Sequence, residues 1–278
     1  MRSVPSVPHR DSAWIAGLVA VSRPLLERWF KPEVRGLSRI PEGPALYVGN
    51  HSGGFMTPDT WIFTSAVFER RGIGDVPYGL THDTVMRWPG VRRLLDHLGG
   101  VHANAANAHR LFAQGAKVLV YPGGDLDAFR PSRDRDRVVF GKRRGYVRLA
   151  LREGVPVVPV VSAGSHEGWY VLDDGRWIAR LLPVHRLLRT DVVPITLSIP
   201  WGLTPAPPAY LPWPTRVLIE VLEPIRFDRS GEAAASDDEY VEQCHRRVHG
   251  AMQAALARLA EERRQRIREE RRARRRLH

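Results

Sequence analysis

A single cysteine, Cys244, rules out an intramolecular disulfide, fits a reducing compartment and reads as a small residue on a helix. No apolar run reaches the roughly eighteen residues of a spanning helix. The longest near the start, Trp14–Val21, stops at Ser22-Arg23-Pro24 with no Ala-x-Ala-like site after it, so neither a membrane span nor a signal peptide is expected there. Nucleotide-binding signatures are missing too: there is no Gly-x-Gly-x-x-Gly and no Gly-x-x-x-x-Gly-Lys-[Ser/Thr]. A serine hydrolase needs a Gly-x-Ser-x-Gly elbow, and Ser162 in Val160-Val161-Ser162-Ala163-Gly164 lacks the first glycine. Zinc-ligand spacing and RNA-recognition signatures are absent. His97, His102 and His109 do not align on one helical face and have Gly99-Gly100 between them, so no metal site is expected.

What the chain does have is positive charge. Over 278 residues it carries a formal +12, and 43% hydrophobic content is enough for a sizeable core in one large or two small domains. Residues 261–278 hold nine arginines against four glutamates, a net +5, which leaves +7 on the rest. Anionic partners are implied: a phosphate-bearing co-substrate, an anionic membrane surface or nucleic acid. With no recognition motif beside it, the arginine-rich tail points to lipid headgroups before any specific nucleic acid, and a solvated helix is the plain alternative.

The pattern divides into a start (1–33), a central domain (34–230) and a C-terminal segment (231–278). Residues 1–11 read as disordered, and Ser12 to Phe30 as an amphipathic helix interrupted at Pro24. Trp and Phe beside Arg and Lys suit a bilayer interface, and packing on the domain suits them equally. Strands are expected at Val34–Ile40, Ala45–Gly49, Tyr78–Leu80, Lys117–Tyr121, Val155–Val161 and Arg216–Val221. Helices are expected at Asp59–Arg70, 88–98, Ala105–Gln114, Arg143–Arg152 and Asp237 to about Arg276. Strands apolar throughout that alternate with helices define an α/β fold with a mainly parallel sheet covered on both faces. Ligands then gather beyond the strand C-terminal ends, where the loops 50–59, 122–131 and 162–167 all fall. Residues 169–215, rich in proline and tryptophan, read as an irregular insertion that covers the site or touches lipid.

The first of those loops, Asn50-His51-Ser52-Gly53-Gly54-Phe55-Met56-Thr57-Pro58-Asp59, is the strongest chemical signal. A histidine just past a strand suits a general base; Gly53 and Gly54 offer lightly covered amides for an oxyanion; Asp59 is near enough in sequence to orient the imidazole. The plain readings are a satisfied core or surface histidine and a helix-capping aspartate. His166-Glu167 reads as a turn, with a place in a pocket wall as the alternative. Lys142, Arg143 and Arg144 are candidates for phosphate contact and equally for a solvated loop.

The runs 50–59, Tyr121-Pro122-Gly123-Gly124-Asp125 and Gly154-Val155-Pro156-Val157-Val158-Pro159-Val160 resemble, in order and spacing, the blocks of the glycerolipid acyltransferase superfamily over residues 35–225. In detail they are most similar to the branch with diacylglycerol acyltransferase-like, neutral-lipid-forming members. The resemblance implies acyl transfer from acyl-CoA as co-substrate to a glycerolipid hydroxyl, with no further cofactor and no metal, at the cytoplasmic face of a membrane to which the protein binds peripherally. It implies His51 as base, Asp59 as its orienting partner, the Gly53 and Gly54 amides at the oxyanion, and substrate contacts at Asn104, Gly123, Gly124, Asp125 and Arg130, with CoA against Lys142, Arg143 and Arg144. The chain departs from the family pattern in three places. The aspartate usually found five residues after the histidine is here Met56; Asn104 stands near the usual arginine of the second block; and the glutamate and arginine of the usual Phe-Pro-Glu-Gly-Thr-Arg block are missing. Losing two phosphate-gripping positions favours a neutral acceptor, a mono- or diacylglycerol or an alcohol, over lysophosphatidate or another lysophospholipid. The rivals from other classes are a serine hydrolase and a basic protein that binds anionic surfaces.

Overall fold

In the computed structural model, residues 10–87, 89–181, 190–207 and 210–276 are described. Residues 1–9 of the expected disordered start, Trp88, and residues 182–189 and 208–209 of the insertion lie outside them. The elements are α1 (Ser12–Phe30), β1 (Glu33–Arg35), β2 (Ala45–Gly49), α2 (Pro58–Arg71), β3 (Tyr78–Thr81), α3 (Asp83–Met86), α4 (Pro89–Leu98), β4 (Gly100–His102), α5 (Ala105–Ala113), β5 (Lys117–Val120), α6 (Gly124–Ala128), α7 (Gly145–Glu153), β6 (Val157–Ala163), β7 (Tyr170–Asp173), α8 (Arg176–Leu181), β8 (Ile195–Ser198), β9 (Gly202–Pro205), β10 (Leu218–Val221), α9 (Glu232–Ser236) and α10 (Asp238–Arg276).

A seven-stranded sheet in the order β1-β10-β6-β2-β5-β3-β4 forms the centre. From β6 to β4 the strands are parallel; β10 runs antiparallel to β6, and β1 parallel to β10. Side chains alternate across a strand, so an all-apolar strand needs protein on both faces. Leu46, Val48, Val118, Val157 and Val161 pack with α5, α7 and α10 on one face, while Ala45, Tyr47, Leu119, Val158 and Val160 meet α1 and α2 on the other. The α/β class with a mainly parallel sheet is as expected. Because β2, β5 and β6 are parallel, the loops after all three leave the same edge of the sheet.

Several boundaries differ from the sequence reading. The first strand is only Glu33–Arg35, with a 3-10 turn at Leu37–Arg39. Helix α1 runs through Pro24, whose ring is solvent-exposed, while buried Ile15, Val19 and Phe30 fasten the helix on both sides of it. Part of the insertion is regular: among its described residues β7, β8 and β9 form an antiparallel three-stranded sheet, and α8 follows β7. Nor is the basic tail simply solvated. Ahead of it on α10, Val248, Met252 and Leu256 are core, and within it Arg263, Arg264 and Arg266 pair with Glu167, Asp136 and Glu33. Among the described residues no helix is long and apolar enough to cross a membrane.

Candidate active site

Asn50 fixes the end of β2. Its side-chain amide donates to the Ser162 carbonyl at 2.9 Å and its carbonyl oxygen accepts from the Ser162 amide at 2.8 Å, a reciprocal pair across to β6. Ser162 itself is buried on β6 with its hydroxyl 3.2 Å from that of Ser165.

His51 follows. Its ring stacks on Tyr121, with centroids 4.6 Å apart and planes 25° from parallel. The Tyr121 ring lies so close to Gly49 that a Cβ there would come within 2.4 Å of it, which is why the strand ends on glycine. The Tyr121 hydroxyl bonds the Thr60 hydroxyl at 2.7 Å. Ring Nδ1 of His51 is buried without a hydrogen-bond partner. Burial, then the positive charge of Arg130, pushes the imidazole down to about 4, so it is neutral at physiological pH.

Asp59 does not orient that ring. It occupies the first turn of α2, where Thr57 at the N-cap has φ 38° and makes no side-chain cap. The unsatisfied amides of a helix start attract a carboxylate, and Asp59 accepts from Ser52 N at 3.1 Å and Thr60 N at 2.9 Å. Burial raises its carboxyl to about 7 against the pull of those amides and of Arg130. The capping alternative is the one realised.

The main chain of His51 is held by two residues of the third block. Asp127, fully buried, accepts from His51 N at 2.5 Å and Val139 N at 3.0 Å. Burial raises its carboxyl to about 6, opposed by Arg130 and both amides. Arg130, also buried, donates from Nη1 to His51 O at 2.7 Å and to Asp127, from Nη2 to Ser52 Oγ at 3.1 Å and Arg135 O at 2.9 Å, and from Nε to Asp134 O at 3.2 Å. A guanidinium has five N–H donors, and protein oxygens engage all three of its nitrogens. The expected substrate contact of Arg130 is therefore corrected to a brace for the His51 loop.

The other expected contacts divide. Gly53 and Gly54 have φ of 81° and 53° and sit under the insertion: a Cβ on Gly54 would lie 2.5 Å from the Trp169 ring, and the Tyr210 hydroxyl donates to Gly53 O. Gly123 admits no side chain either, facing Asp127 and Val139 O, whereas Gly124, at φ 48°, faces the end of the Arg143 side chain. Asp125 is tied to Arg143, to the Thr190 hydroxyl at 2.9 Å and to the Asp191 amide at 3.1 Å. Burial pushes its carboxyl up, but these partners outweigh it and leave it below the ordinary range. Arg143 also donates to Gly123 O at 2.6 Å, and Arg144 pairs with Glu242 on α10 at 2.6 Å. The two arginines expected at CoA are thus each paired with a carboxylate, and Lys142 is exposed.

Asn104 caps α5, accepting from Asn107 N at 2.8 Å, and lines a cleft of about 340 Å³ with Leu80, Val120, Pro122, Arg143 and Arg152. Arg152 is bidentate to Glu232, at 2.5 and 2.9 Å. His109 pairs with Glu153 at 2.8 Å, and His97 lies against Trp14 with ring centroids 5.4 Å apart.

Sequence reasoning missed Asp127, Tyr121 and His166 as neighbours of His51. His166 is buried in the 3-10 turn after β6, and its Nε2 donates to Arg130 O at 2.8 Å. Burial first, then Arg130, hold its imidazole well below the usual value, against the bond to Arg130 O. Asp127, two residues from the block aspartate that drew attention, was legible only as a polar residue in an otherwise glycine-rich turn.

The Acyltransferase family model matches residues 31–163. An uncharacterized protein of Mycobacterium tuberculosis is 33% identical over 201 residues, covering 72% of this chain and 54% of that one. The DGAT1/2-independent enzyme synthesizing storage lipids of Mus musculus is 24% identical, covering 82% and 64%. The chain thus spans about half the length of the mycobacterial relative and under two thirds of the murine one. The fold is similar to that of the 1-acyl-sn-glycerophosphate (LPA) acyltransferase PlsC of Thermotoga maritima, with a TM-score of 0.53 at 18% identity over 90% of this chain and 83% of that chain. Residues 31–163, just under half of the chain, thus match the Acyltransferase family.

Proposed function

We propose that this protein transfers a fatty acyl chain from acyl-CoA to a hydroxyl of a neutral glycerolipid, with His51 as general base. The neutral imidazole takes the proton of the acceptor hydroxyl as the oxygen attacks the thioester carbon; the C–S bond then breaks and the CoA thiolate leaves. With Nδ1 buried, Nε2 is the nitrogen assigned to the substrate. Loop amides at Gly53 and Gly54 receive the oxyanion, and no covalent acyl-enzyme or further cofactor is required. Tyr121 stacking and the Asp127–Arg130 brace hold the base; Asp59 contributes by fixing the Ser52 amide. Lys142 is retained as the cation for CoA phosphate. The reaction is assigned to the cytoplasmic face of a membrane, with the protein bound peripherally.

One observation carries the choice of acceptor. The arginines placed to grip a phosphate are committed to protein: Arg130 to five residues, Arg143 to Asp125, Arg152 to Glu232. A phosphorylated acceptor would have to share Arg143 or Arg152 with the carboxylate it already holds. The name of the murine relative, a storage-lipid enzyme, agrees with a neutral acceptor, whereas the name of the Thermotoga maritima protein specifies a phosphorylated one. Acyl-CoA consumption by wild type and His51→Ala, with diacylglycerol, monoacylglycerol, a long-chain alcohol and lysophosphatidate as acceptors, decides between them. Faster acylation of lysophosphatidate than of every neutral acceptor would overturn the assignment.

A further inference from the structure

Strands β8 and β9 of the small sheet are built inside out for a protein in water, beside β7, whose Val171 is buried. Antiparallel sheets with one solvated face turn apolar side chains inward and polar ones outward. Here Thr196 and Ser198 of β8 are buried, while Leu197 between them is 41% exposed. The register sets Tyr170 opposite Leu197 and Leu197 opposite Leu203, so the three form one row across the sheet on its outer side, at 47%, 41% and 64% exposure. Leu172, Ile199 and Trp201 are exposed beside that row in sequence. On the inner side, the hydroxyls of Ser198 and Thr204 are buried without a hydrogen-bond partner. Each such group is a cost to the fold, which a one-residue shift of phase would have removed. Apolar-out, polar-in alternation is what strands facing hydrocarbon display.

We propose that this outer face docks the protein on a phospholipid bilayer. Two features favour lipid over a second copy of the chain. Its aromatic members, Tyr170 and Trp201, with Trp177 on α8, are the residue types that sit at a membrane–water interface. Two chains of formal charge +12 repel each other, whereas a zwitterionic or anionic headgroup layer does not repel either. The three strands carry one charged residue, Asp173, so the docking is apolar and resists salt. The same sheet is fastened to the candidate active site. Trp169, immediately before β7, stacks on Tyr210 with ring centroids 4.7 Å apart and covers Gly54, and Tyr210 bonds Gly53 O. A bilayer held by this face is held by the element bolted to the His51 loop.

The preference for lipid over other apolar partners rests on the acceptor class proposed above; the docking itself does not use His51. The test is flotation of the full chain with phosphatidylcholine vesicles at high salt, for wild type, His51→Ala, Leu197→Glu and Leu203→Glu, with far-ultraviolet circular dichroism to establish that each is folded. Wild type and His51→Ala float equally, and each glutamate variant loses about tenfold or more in partition, because a leucine no longer leaves water and a charge must be kept in it. Tryptophan quenching by brominated phosphatidylcholine falls in Trp201→Phe. The proposal is overturned by wild type failing to float, by glutamate variants that float as wild type does, or by Leu25→Glu on α1 abolishing flotation while they do not. Sedimentation showing a dimer that Leu203→Glu dissociates also overturns it and assigns the face to a second copy. Flotation without acyl transfer sinks the activity and spares the docking; acyl transfer to a dispersed acceptor without flotation does the reverse.

Discussion

In the seven-stranded sheet, Leu46 and Val48 face one helical layer and Ala45 and Tyr47 the other; in the three-stranded sheet, Thr196 turns inward and Leu197 outward. The first pattern follows from burial on both sides, which confines most polar residues to the strand ends. There, Asn50, Asp127 and Arg130 gather and satisfy one another and the His51 loop. The second pattern has no such cover. Its strands β8 and β9 leave hydroxyls inside and leucines outside, beside the Trp169–Tyr210 stack. The large sheet thus builds a rigid, electrostatically closed site, and the small one spends its apolar surface on an external contact.

Substitutions separate the two regions, and the largest effect belongs to the chemistry. His51→Ala should lower acyl transfer by about two to four orders of magnitude with the fold intact, measured by thiol release from acyl-CoA. Arg130→Ala leaves the Asp127 carboxylate buried without its partner and should cost about 3–5 kcal/mol of stability in denaturant unfolding. Gly54→Ala, where the added carbon meets Trp169 at 2.5 Å and φ is 53°, tests the joint between the sheets and should cost about 1–3 kcal/mol in the same measurement. Asp59→Asn probes the raised carboxyl. A group bound to its proton more tightly in the folded state contributes stability below its unfolded value of 3.8 that is lost as pH rises to about 7. Wild type should therefore lose stability relative to the asparagine variant across that window, by at most about 1.4 kcal/mol per pH unit, read from thermal unfolding at several pH values. Smallest of all, Leu203→Glu should change unfolding stability by no more than about 0.5 kcal/mol, because its side chain touches solvent rather than core.

How much was legible follows from the same contrast. Strands β2, β5 and β6 stood out because a fully covered strand has an unmistakable apolar run, and the loops at their ends identified where a site would be. The insertion escaped because Tyr170-Val171-Leu172-Asp173 and Ile195-Thr196-Leu197-Ser198 read as strands only when the outward residues are allowed to be the apolar ones. Arg130 looked like a free cation near the third block, and nothing local indicates that six oxygens surround it. Asp59 looked like a partner for His51 because eight residues of chain are short, yet the helix that begins at Pro58 claims the carboxylate for its own first turn.

By itself, the order of residues determined the α/β class, the central strands, the buried stripe of α10 and the loop that carries His51, because hydrophobic period and glycine placement act within a few residues of chain. Tertiary structure alone decided which polar groups meet. His51 is braced by Asp127 and Arg130 from a loop some eighty residues away, and the apolar face of the small sheet is turned outward. Hydrogen bonds, ion pairs and the phase of a strand depend on what is packed against it, and that is settled only when distant segments close on one another.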